Sequence, residues 1–154
     1  MPPPPVPGVE IHLSPSVPGL LPPGLDLDWL SRVAMATLPL CLQSPGVDEN
    51  VLAGLQDIEV TLVSDAEIAA VHGEFLDDPT PTDVITFHHG EILISLETAT
   101  RQAAQHGLSV AHETALYLVH GLLHLAGWDD HDPDSAAAMA SLQERLLMTA
   151  LSAG

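Results

Sequence analysis

The chain has 154 residues, 46% of them apolar, and its three arginines, absent lysines and 21 acidic residues leave a formal charge of −18. That length suits one well-buried domain rather than two, and its apolar runs are broken by His, Gly or charge well short of bilayer length, so no membrane partner is expected. The charge repels phosphate backbones at long range, which counts against binding through basic patches and leaves DNA unexpected as a partner.

The opening MPPPPVPG has neither the basic region nor the apolar core of a secretory signal. It reads as a Pro-rich lead over 1–8, ahead of a single domain over 9–154, with a cytoplasmic location as the default. VEIHL (9–13) alternates as a half-buried strand does, and SPSVPGLLPPG is a loop by its Pro and Gly content. LDLDWLSRVAMATLPLCL (25–42) has apolar residues at helical spacing, with Asp26 or Asp28 near its start and Pro39 placed to kink or end it. Cys41 cannot form a disulfide alone, and its Leu-rich neighbours make it a small buried hydrophobe.

After a turn and an irregular link, IEVTLVS (58–64) alternates as a second strand. Ser64 stands at the N-cap position of a helix over DAEIAAVHGEFL (65–76), whose Ile68, Val71 and Phe75 fall on one face. DDPTP then breaks the chain. DVITF (83–87) and EILISL (91–96) read as strands joined at His88-His89-Gly90, a link short enough for an antiparallel hairpin. A short helix ends at Gly107, and Ser109 caps a longer one that runs to Gly127. DDHDPD interrupts, and a last amphipathic helix begins near Pro133. The order β-α-β-α-β-β-α-α-α predicts an α+β (mixed α/β) fold, a small four-stranded sheet with helices packed on it.

The chemistry concentrates in HGLLHLAGWDDH (120–131), three imidazoles in an apolar segment where each ring nitrogen must find a partner. His120 and His124 are one turn apart on the same helical face, which suits two nitrogen ligands for one ion, as in the HExxH helix of zinc proteases. Gly127 permits a left-handed helix end that brings the chain back, so that His131 reaches the same point as third ligand. Three neutral nitrogens favour zinc, although imidazole also suits nickel, copper and iron. Gly121 stands where the proteases carry their general-base Glu, which counts against a zinc peptidase.

These residues resemble the signature of the YbeY family of bacterial endoribonucleases, HGxLHLxGYDH. PTDVITF (81–87) is similar to that family's PTDVLSF strand, GEILISLETA (90–99) to its GDIxIS segment, and Met139 to Leu147 to its MxxLQExLL end. The resemblance, from about Ile58 to Leu147, implies a zincin-like mixed fold with one Zn²⁺ on His120, His124 and His131. It implies a single-strand endoribonuclease, in which a metal-activated water attacks a phosphodiester, acting in rRNA maturation and ribosome quality control. The partners it implies are rRNA or the small ribosomal subunit, and a ribosome-associated protein that would deliver a substrate this acidic chain binds weakly. The alternatives are a non-catalytic ribosome-assembly protein with a structural zinc, or a zinc peptidase.

Two departures stand out. An extra Asp precedes the last histidine in Asp129-Asp130-His131, so Asp130 competes with His131 for the ion, and Leu76, two residues after Glu74, replaces an Arg that family members use toward RNA. Thr82 and Asp83 stand at the entry of the strand bordering the cleft, as an Asx-type turn or a substrate contact. Glu113, a turn and a half before His120, and Asp83 are the candidates for proton transfer or support of the ligands. Arg101 and Arg145 read as surface ion-pair partners.

Overall fold

A computed structural model describes residues 6–17, 21, 22, 24–76 and 82–153, backbone only at 76 and 153. The lead is outside these residues up to Pro5, as is the break at 77–81, and Gly8 already belongs to the first strand. In chain order the elements are β1 (Gly8–Leu13), α1 (Leu27–Leu42), a 3₁₀ turn (Leu52–Gly54), β2 (Asp57–Val63), α2 (Asp65–Leu76), β3 (Val84–Phe87), β4 (Glu91–Ser95), α3 (Leu96–His106), α4 (Val110–Leu125) and α5 (Pro133–Ala153).

The caps explain many of these boundaries. Asp26 accepts from the Trp29 amide to open α1, Ser95 from that of Thr98 to open α3, and Ser109 from that of His112 to open α4. Gly107 closes α3 in the left-handed region, at φ 70°, where only glycine is unstrained. Pro39 does not end α1, which continues to Leu42. A helical proline orphans the carbonyl four residues earlier, here that of Met35, a half-exposed residue whose carbonyl water can satisfy.

The sheet runs β1-β2-β4-β3, with β2 parallel to both β1 and β4 and β3 antiparallel to β4 along one edge. Period-two alternation divides its side chains between two layers. Ile58, Val60, Leu62, Ile92 and Ile94 join the large core with α1, α4 and α5, whereas Val63, Ile85 and Leu93 meet Ile68 of α2 on the opposite face. The apolar face expected of α2 fades along its length: Ile68 is fully buried and Val71 half-buried, but Phe75 is 62% exposed. Phe75 falls beyond the smaller layer and rests edge-on against Phe87.

Cys41 is fully buried, and burial pushes its thiol up to about 12, so it acts as a small hydrophobe. Gly121 faces β4, where a Cβ would come within 2.9 Å of Ile92. Its missing side chain lets α4 lie directly on the sheet. Among the described residues no helix is long and apolar enough to cross a membrane.

Candidate metal centre and cleft

α4 brings His120 and His124 onto one face, their rings edge to face with centroids 4.5 Å apart. The outward-facing nitrogens have fixed roles. Nδ1 of His124 lies 2.9 Å from the Trp128 carbonyl oxygen, which only accepts, so Nδ1 carries a proton and donates. Nδ1 of His120 lies 2.9 Å from Oε1 of Gln143 on α5 and donates to it. In neutral rings the Nε2 atoms are then bare lone pairs, and they face one another at 3.0 Å. Oδ2 of Asp130 stands 3.4 Å from the first and 3.8 Å from the second.

Three acceptor atoms thus converge with no donor of their own between them. Desolvation, and then the neighbouring His120, hold the His124 pKa below its usual value, against the opposing pull of Asp130 and the Trp128 carbonyl. The imidazole is kept neutral, the form in which it ligates a metal. The spacings also fit an ion: four ligands at zinc–nitrogen distance around a tetrahedral centre lie about 3.3–3.4 Å from one another.

The loop after α4 is fastened from a distant part of the chain. Gly127 has φ 101°, and a Cβ there would meet the Asp48 carbonyl at 2.5 Å, while one on Gly46 would strike the Gly127 carbonyl. The Gly46 amide donates to Ala126, the Asp48 amide to Gly127, and the Trp128 indole to the Ser44 carbonyl at 2.7 Å. The residues after α1 therefore hold the return loop. Within it Asp129 accepts from the His131 amide in an Asx-type contact, while Asp130 turns its carboxylate to the histidines.

Of the three expected ligands, His120 and His124 are brought together, and Asp130 rather than His131 supplies the third atom of the cluster. His131 is exposed and lines, with His124, a cleft of about 340 Å³. Thr82, Thr86 and His88 line it along β3, and His72 from α2. Behind His120 lies a second cavity of about 560 Å³, walled by Asp83, Arg101, Glu113, Tyr117 and Gln143. Both proton-transfer candidates are there. Glu113 is buried 3.3 Å from Nδ1 of His106, and Asp83 accepts from the Val84 amide as the strand opens. Burial, then the Glu113 charge, raises the Tyr117 pKa.

Gln143 escaped the sequence reading because it comes from another helix. Its signals are its place as the Gln of the MxxLQExLL stretch and its position four residues after the buried Met139, on the same flank of α5. Arg101 is an ion-pair partner as expected, 2.7 Å from Asp65, while Arg145 makes no ion pair among the described residues. The position of the peptidase Glu, Gly121, faces the sheet rather than the cleft, so no base could act from there.

A sequence model of the family described as Endoribonuclease YbeY matches residues 25–150. Proteins named Endoribonuclease YbeY are 38% identical over 137 residues in a Synechococcus strain, covering 79% of this chain and 79% of the relative, and 36% identical over 132 residues in Moorella thermoacetica, covering 73% and 84%. Another, from Mycobacterium tuberculosis, is 36% identical over 143 residues, covering 80% and 77%. The solution structure of a Thermotoga maritima protein superposes with a TM-score of 0.60 at 21% identity, covering 94% of this chain and 89% of that one, which speaks for the fold alone. With the family match spanning α1 through α5, this chain belongs to the endoribonuclease YbeY family.

Proposed function

We propose that the chain is a zinc-dependent, single-strand endoribonuclease of the cytoplasm that acts on rRNA, within or on its way to the small ribosomal subunit, in maturation and quality control. The observation that carries the metal reading is the meeting of Nε2 of His120, Nε2 of His124 and a carboxylate oxygen of Asp130, while both Nδ1 atoms are taken up by oxygen partners. When bound, zinc would lower the pKa of water and offset charge developing on a phosphodiester. The chain's own residues do the rest. Gln143 and the Trp128 carbonyl hold the two rings in their ligating tautomers. The glycine-pinned loop keeps Asp130 and His131 beside the open cleft. Glu113 and Asp83 line the second cavity together with Gln143, which holds His120, and are the candidates for proton transfer or support of the ligands. Three protein donors beside an open cleft favour a catalytic ion over a structural one, whose fourth position would be closed.

The third ligand has two readings. His131, in the wall of the cleft beside His124, is the one expected from the sequence; Asp130 is favoured by the position of its carboxylate. Metal analysis of wild type, His124→Ala, Asp130→Ala and His131→Ala distinguishes them. His124→Ala should lose the ion, and of the other two variants the one lacking the true ligand should lose affinity more. RNA cleavage that survives chelation, or saturable metal binding that is absent in wild type, would overturn the proposal. A chain that binds metal tightly but cleaves no RNA would be an assembly protein instead. Delivery by a ribosome-associated partner follows from the charge of −18.

A further inference from the structure

Both phenylalanines of this chain sit in one place. Phe87, the last residue of β3, takes the edge of Phe75 at 5.7 Å between centroids and stacks on His89 at 5.5 Å, with 19° between the planes. The stack is incompletely used by the core: Phe75 is 62% exposed and the His89 side chain 70%. It also adjoins the cleft. Ile85, two residues before Phe87 and in the same side-chain layer of the edge strand, lines the cleft. His72, which lines it from α2, lies one helical turn before Phe75.

We infer that Phe75, Phe87 and His89 form a stacking platform for unpaired bases, so that single-stranded RNA is gripped by its bases as it passes along the β3 edge into the cleft. This rests on the endoribonuclease reading above and adds how the substrate is held. Charge supports it. Tracking a strand by its phosphates needs a basic groove, and here Glu91 lies 3.2 Å from Nε2 of His89 while the chain carries three arginines and no lysine. Aromatic faces bind bases without that requirement, and any base has a face to offer. The exposed ring of Phe75 offers the primary contact, with Phe87 in T-shaped contact with it.

The test uses the metal-loaded full chain and short fluorescent oligonucleotides with 2′-O-methyl sugars, read by anisotropy, beside cleavage of unmodified single-stranded RNA. Phe75→Leu keeps apolar bulk and removes the π face, and Phe75→Trp restores one. Wild type should prefer oligoadenylate to oligouridylate and ignore an abasic strand, and its affinity should hold or rise with salt, which screens the repulsion. Phe75→Leu should weaken oligoadenylate binding about ten-fold and raise KM while leaving kcat, and Phe75→Trp should recover both. Unchanged binding and KM in Phe75→Leu, with cleavage still lost in His124→Ala, would overturn the platform alone. A wild type that neither binds nor cleaves RNA would overturn the functional reading, and the platform with it. Equal thermal midpoints of the Phe75 variants and wild type would exclude misfolding, and an unfolded Phe75→Leu would pass the decision to His89→Ala.

Discussion

At the level of single residues the centre depends on groups that never touch an ion. His120 would be free to rotate or to exchange its tautomer without Gln143, whose carbonyl oxygen takes the Nδ1 proton at 2.9 Å. Supports of this kind typically contribute about ten- to hundred-fold in metal affinity. Gln143→Ala should therefore weaken zinc binding within that range while far-ultraviolet circular dichroism stays that of wild type. Gln143→Glu should retain it, because a carboxylate accepts the same proton more strongly. Competition with a chromophoric chelator measures both, and equal affinities in the alanine variant and wild type would remove Gln143 from the site. The histidine pair was legible in sequence because its geometry is local, four residues on one helix. The contact of Gln143, and which of Asp130 and His131 turns to the histidines, depend on where α5 and the return loop lie, and short-range spacing does not encode that.

At the level of elements the same division recurs. Ser64 and Ser109 opened helices, and Gly107 closed one, through contacts within a few residues, so these boundaries could be read directly, whereas Ser95, which the alternation assigns to a strand over 91–96, caps a helix that already starts at Leu96. The strand order could not, since two parallel pairings join strands separated by whole helices. The clamp between the starts of α2 and α3 was equally hidden. Asp65 accepts from the Ser95 and Thr98 hydroxyls and from Arg101, while its own amide donates to Glu97. Burial alone would raise the Asp65 pKa, but the bonds from Arg101, Ser95 and Thr98 outweigh it and hold the carboxyl below its ordinary value. A depressed folded-state pKa means stability that is fully present above the unfolded value and lost as pH falls through the folded one. Asp65→Asn should thus be less stable than wild type at neutral pH and lose less on acidification below about pH 4. Urea midpoints across that range decide it, and parallel pH profiles for the two proteins would show that Asp65 is not linked to folding.

For the molecule as a whole the dominant fact is charge, −18 on 154 residues, and the fold concentrates part of it. Register places Glu10 beside Glu59 and Glu59 beside Glu91, a row of carboxylates on three adjacent strands. Like charges directly opposite on neighbouring strands are destabilising, and among the described residues relief comes from His12, 3.4 Å from Glu10, and His89, 3.2 Å from Glu91, when those rings are protonated. Glu59, in the middle, has a carboxylate on either side. Glu59→Gln keeps the side chain's length and removes the central charge, so at neutral pH and low salt it should raise the thermal midpoint. The advantage should shrink as salt is added and vanish near 1 M, where the screening length falls to about 3 Å. Wild type should itself become more stable over the same titration, because its repulsion is screened throughout. Were the midpoint of Glu59→Gln below that of wild type at every salt concentration, the row would be stabilising, and a cation held by Glu10, His12 and Glu59, whose ligand atoms lie within 4.8 Å of one another, would be its simplest cause.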